Sequence, residues 1–152
     1  MAKMDVPAQL SSELFEFLQG EKLVLLGTVE ANSKAPGVSA ISWVKSCDEK
    51  RIRFSVTTNS RIIANIKANP QVVLTVVGLE TVYSINGNAA VLEEEMKSVP
   101  LKLAKIEVEI QHVYESMFWG AKIVQEPRYE KTYNAEKAKE LDLKVYKALM
   151  DE

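Results

Sequence analysis

Apolar and polar positions alternate with a period of two along much of the chain, and this pattern defines six strands. Leu23 to Glu30 is a nearly apolar run and reads as a buried strand. Along Gly37 to Lys45, strand geometry puts Val38, Ala40, Ser42 and Val44 on one face and Ser39, Ile41, Trp43 and Lys45 on the other. Asp48-Glu49-Lys50 has the composition of a hairpin turn. Ile52, Phe54 and Val56 then alternate with Arg53, Ser55 and Thr57, which predicts a surface position for Arg53. Val72 to Val77 and Val82 to Leu92 read as two further strands. Ile106, Val108 and Ile110 alternate with Glu107, Glu109 and Gln111, predicting a long strand that ends near Tyr114.

Helical spacing appears between these runs. Leu10 to Leu18 reads as a short amphipathic helix, with Ser11 or Ser12 near its start and Gly20 past its end. Arg61 to Lys67 is a second, entered through Thr57-Thr58-Asn59-Ser60 and closed by Asn69-Pro70. Its Ile62, Ile63 and Ile66 are placed to pack on the sheet. Glu93 to Val99 reads as a short helical link. Ala135 to Met150 is the clearest helix, with Asn134 as N-cap and Ala138, Leu141, Val145, Ala148 and Leu149 as its apolar stripe. Six short strands with flanking helices imply a mainly β fold, a small antiparallel barrel.

Composition narrows the function classes. The chain has 152 residues, 47% of them hydrophobic, enough to bury a core as one domain over residues 1–152. A net charge of −2 gives no general attraction for nucleic acid. Leu23 to Val29 is too short to span a bilayer, and the first residues lack the pattern of a secretory signal. A cytoplasmic protein that binds neither membrane nor nucleic acid is the expectation. Cys47 is the only cysteine, which excludes an internal disulfide and a cage of cysteines. His112 is the only histidine and has no clustered partners, so no metal is expected. Met117-Phe118-Trp119-Gly120 reads either as a hydrophobic loop at an interface or as a wall of a substrate pocket.

The segment from Gly37 to Pro70 carries the most chemistry. A strand delivers the chain into a helix start bearing Ser60 and Arg61. Free backbone N–H groups and the positive end of the helix dipole make such a start an anion site, and a guanidinium fork suits phosphate oxygens. Ser60 is equally well placed as an ordinary N-cap, and Arg61 as a solvated first-turn residue.

Leu26-Gly27-Thr28-Val29, Gly37 to Lys45, Ile52 to Thr57, Ser60-Arg61, Asn65-Ile66, Asn69-Pro70, Val72 to Val77 and Ile85 to Ala89 together resemble the pyridoxamine-phosphate-oxidase-like family of FMN-binding split barrels. These pieces lie between Leu26 and Ala89, and their order carries the resemblance more than any one motif. The resemblance implies a six-stranded antiparallel split barrel. It also implies a homodimer with FMN between subunits. Ser39, Ala40, Ile41, Ser42 and Trp43 then match one wall of the flavin site, and Ser55, Val56 and Thr57 the other. Ser60 and Arg61 match the phosphate-binding turn, and Lys45 a basic position on the second strand. The chain departs from the pattern at Ile62, where a basic residue is common, and at Ala40, where the vitamin-processing oxidases carry arginine. The stretch from Lys131 onward lacks the arginine and histidine with which those oxidases hold their substrate. The implied activity is a flavin-dependent oxidoreductase acting on a small molecule, with no catalytic side chain singled out. The alternative is a carrier or sensor that binds flavin, haem or a deazaflavin without turnover.

Overall fold

The computed structural model describes residues 6–151, so the outer limits of the expected domain fall outside the described residues. In chain order the elements are α1 (Ser12–Phe17), β1 (Val24–Val29), β2 (Pro36–Ile41), β3 (Val44–Ser46), β4 (Arg51–Thr57), α2 (Arg61–Ala68), β5 (Gln71–Gly78), β6 (Thr81–Glu93), β7 (Leu103–Glu115) and α3 (Ala135–Met150). The strands form one antiparallel sheet in the order β2-β1-β5-β6-β7-β4-β3. Its first and last strands, β2 and β3, are separated in sequence only by Ser42 and Trp43. The sheet therefore has to curl until its two ends meet at that corner, giving a mainly β split barrel with flanking helices.

Seven strands stand where the alternation predicts six, because the run from Gly37 to Lys45 changes partner midway. β2 pairs with β1, Val38 opposite Gly27, whereas β3 pairs with β4, Val44 opposite Phe54. The bend at Ser42-Trp43 also exchanges inside for outside. Val38 is 64% exposed and Val44 only 3%, although alternation gives them the same face.

Inside the curl, Leu26, Phe54, Leu74, Ile85 and Ile106 form the main core with Leu14 of α1 and Ile62, Ile63 and Ile66 of α2. A second core lies on the outer face of the β4–β7 end. There Val145, Tyr146, Ala148 and Leu149 of α3 pack with Leu103, Met96, Val99 and the half-buried Trp43. Met96 and Val99 come from turns rather than the helical link expected over Glu93 to Val99. Pro100 disfavours helical geometry at Val99, and β6 runs on to Glu93.

Because α3 covers its outer face, β4 is buried on both sides, and Arg53 is buried rather than on the surface. Its Nε donates to Glu107 Oε1 at 3.1 Å, and its Nη1 donates to the carbonyl oxygens of Leu149 (2.9 Å) and Asp151 (3.2 Å). Lys105 Nζ donates to the Asp151 carbonyl at 2.7 Å and pairs with Glu93 at 3.1 Å. Two buried cations thus meet the unpaired carbonyls that end α3, where the helix dipole is negative.

Gly87 marks a register shift between β6 and β7. A Cβ there would lie 2.5 Å from the Glu109 carbonyl oxygen and 2.6 Å from Val108 Cγ1. The register shift between Asn86 and Gly87 is a β-bulge, and glycine there leaves room for the β7 backbone.

Candidate functional site

The split of the barrel follows β2, which has a hydrogen-bonded neighbour on one side only. Its far end is the corner, held by three contacts from different parts of the chain. Ser55 N–H donates to the Trp43 carbonyl at 3.0 Å. Trp43 Nε1 donates to Asp142 Oδ1 at 2.8 Å. The Tyr146 hydroxyl donates to the Ser42 carbonyl at 2.8 Å and accepts from the Glu21 N–H at 2.7 Å. Burial, above all, raises the Tyr146 phenol well above its ordinary pKa, so the hydroxyl stays protonated in this role.

The near end of the split is the start of α2. Ser60 is its N-cap, the hydroxyl accepting from Ile62 N–H at 3.2 Å. The Arg61 side chain is 68% exposed, with Nε 3.9 Å from Glu30 Oε1. Glu30 is held by Asn65, whose amide donates to Glu30 Oε2 (3.4 Å) and Thr28 Oγ1 (3.1 Å) and whose Oδ1 accepts from Ala31 N–H (2.9 Å). Gly37 faces the same carboxylate, which a Cβ there would displace. An anion reaching Arg61 would therefore meet one exposed guanidinium and the carboxylate already paired with it.

The structure divides the sequence-predicted residues. Ser60 and Arg61 stand together, and Thr57 is exposed just before them. Ser39, Ala40, Ile41 and Ser42 line β2 and the corner, partly or fully accessible. Ala40, Ile41 and Ser42 share a cleft of about 270 Å³ with Leu23, Tyr129 and Lys131. Trp43 lies half-buried under α3. Ser55 is buried, its hydroxyl donating to the Ala104 carbonyl at 2.8 Å, and Val56 is in the core. Lys45 sits opposite Arg53 on β3, under the α3 end of the sheet rather than beside Arg61.

Glu30, Asn65, Asp142, Tyr146, Tyr129 and Lys131 are the parts sequence reasoning did not assign. Only Asn65 carried a signal, as a polar residue inside the isoleucine stripe of α2. Tyr129, Lys131, Asp142 and Tyr146 come from segments more than 80 residues away from the corner they touch, and Glu30 is the polar residue that ends the first apolar run.

A family model described as pyridoxamine 5'-phosphate oxidase matches residues 10–119. The chain belongs to that family. Among solved structures, a protein of Lactobacillus delbrueckii assigned to the pyridoxamine 5'-phosphate oxidases superposes with a TM-score of 0.61 at 19% identity, over 71% of this chain and 95% of that one. An F420 reductase superposes at 0.57 and 20% identity, over 66% and 95% of the two chains. HutZ, the haem storage protein of Vibrio cholerae, superposes at 0.52 and 16%, over 70% and 94%. These likenesses establish the split-barrel fold. Among curated proteins, none matches this sequence.

The described residues fit a flavin nucleotide in kind. An unpaired strand edge supplies backbone donors and acceptors, the cleft beside Ala40 to Ser42 offers an apolar wall, and Arg61 offers a cation.

Proposed function

We propose that this chain is an FMN-binding split-barrel protein that works as a homodimeric, flavin-dependent oxidoreductase on a small molecule. The observation that carries the reading is the exposed Arg61 at the N-terminus of α2, at one end of the open β2 edge. When bound, FMN supplies the electron-transfer chemistry. The protein orients it, limits water and supplies the phosphate contact.

A second copy of the chain is supported by the outer sheet face. Leu25, Gly27 and Val29 lie beside Ala40, Val38 and Pro36, with Val73 and Thr75 on the far side, because directly opposed residues share a face. A groove of about 400 Å³ runs across this apolar surface. No helix among the described residues is long and apolar enough to cross a membrane, compatible with the expected cytoplasmic location.

The carrier or sensor reading is favoured by one feature: α3 lies across Trp43, which narrows access for a second molecule. Haem has less support. His112 is on β7 opposite Asn86, its ring tilted 38° against that of Tyr114, and not at the corner.

The test is a titration of the apoprotein with FMN and with riboflavin at fixed salt. Tighter binding of FMN supports the phosphate site, and equal affinities defeat it. Turnover with a reduced nicotinamide then separates enzyme from carrier.

A further inference from the structure

The family model ends at residue 119, yet the chain beyond it folds back onto the β2 corner. The returning segment is pinned at three points. Ile123 N–H donates to the Glu80 carbonyl at 2.9 Å, Glu126 pairs with Lys22 at 2.6 Å, and Lys131 pairs with Asp142 at 3.1 Å. The stretch from the Glu126 pin to the Lys131 pin, carrying Tyr129, forms a strap. On one side is the cleft against Ala40, Ile41 and Ser42. On the other is a cleft of about 530 Å³ against α3, which includes Lys139 and Asp142.

Lys131 is built into this position. Its side chain is 28% exposed and its partner carboxylate 8%. Asp142 also accepts from Trp43 Nε1, so one buried carboxylate fixes both the indole of the corner and the ammonium of the strap. An ammonium has three donor hydrogens, and Asp142 needs only part of that capacity. The remaining donors belong to the only cationic side chain among the residues lining the Ala40–Ser42 cleft.

We infer that Lys131 is the positioning residue for a planar, acceptor-bearing ring held against Ala40, Ile41 and Ser42, and that it tunes that ring electrostatically. The inference rests on the flavin reading and adds to it a residue outside the family domain. A flavin ring carries carbonyl and ring-nitrogen acceptors and gains negative charge on reduction. A fixed cation beside it holds its orientation and stabilises the reduced form. Arg61 recognises the phosphate, whereas Lys131 acts on the ring, so their substitutions have different signatures.

The experiment compares wild type, Lys131→Gln, Lys131→Met, Lys131→Arg and, as control, Lys139→Gln. Each is titrated with FMN and with riboflavin, and the midpoint potential of the bound flavin is measured. Glutamine retains a donor for Asp142, so the strap keeps its anchor. Methionine is the second neutral variant should glutamine disturb the fold. The expected result is an equal loss of affinity for both ligands, about tenfold in the neutral variants. A fall in potential of about 30 mV is expected with it, because the reduced, more negative ring loses a further tenfold. Arginine restores both, and Lys139→Gln behaves as wild type. Unchanged affinity and potential overturn the inference, as does a loss confined to FMN. Weaker binding at an unchanged potential also overturns it, since that marks a merely structural role. A wild type that binds neither ligand overturns the flavin reading itself, which the wild-type titration shows separately.

Discussion

Tyr146 and Ser42, 104 residues apart, share a 2.8 Å hydrogen bond that fastens α3 to the corner where the barrel changes strand. The same hydroxyl caps the Glu21 N–H. Tyr146→Phe removes both bonds and keeps the packing. At about 1 kcal/mol net per bond, the expected cost is ~2 kcal/mol, read from urea midpoints at unchanged slope.

The same phenol sets a pH dependence. Its folded pKa is raised, chiefly by burial. Below the unfolded value, about 10, both states hold the proton and the contribution is complete. As pH rises past about 10, the unfolded chain releases the proton while the folded chain keeps it, so stability falls. Wild type should lose stability more steeply than Tyr146→Phe in melts above that pH. Tyr83, whose pKa is also raised by burial, leaves the variant a residual slope.

Arg53→Met tests the clamp on the end of α3. It leaves Glu107 and the Leu149 carbonyl without their buried partner. The expected cost is about 3 kcal/mol, the scale for breaking a buried pair. Arg51→Met, at a half-exposed pair, should cost much less. Similar losses in chemical denaturation would contradict the buried clamp.

Arg61→Ala should weaken FMN by about tenfold to a hundredfold, the equivalent of ~1.5–3 kcal/mol for a charged hydrogen bond, and leave riboflavin nearly unchanged. Stability without ligand should hold, because the side chain is 68% exposed. Glu30→Gln removes the neighbouring carboxylate and should tighten FMN. Isothermal titration of both variants checks the pair.

Val38→Asp places a charge at the centre of the exposed apolar face. Light scattering should shift from dimer to monomer mass, with little change in the unfolding midpoint at low concentration. A wild-type monomer mass would remove the interface.

The barrel was legible because period-two alternation records burial directly, and the α2 start because capping is local. Ser60 and Arg61 occupy the positions their sequence implies. Arg53 was not legible, since alternation marks the side of a strand that leaves the core and carries no sign of a helix arriving from residues 135–150 to cover it. Val38 and Val44 share parity along the chain yet lie on opposite sides of the wall, because the bend at Ser42-Trp43 intervenes. Lys131 sits in a turn without periodicity, and only the folded chain brings it to the Ala40–Ser42 cleft.

The bond between Tyr146 and Ser42 also has a meaning in time. At a synthesis rate of about 5–20 residues per second, a span of 104 residues takes roughly 5–20 s to translate. Through that interval the emerging chain can zip β1 against β2 and β5 against β6, since those pairings are local. The Ser42 carbonyl, the Trp43 indole and the Arg53 guanidinium wait for partners not yet made. The nascent barrel thus stays unlatched at its Ser42-Trp43 corner until the helix that shuts it has left the ribosome.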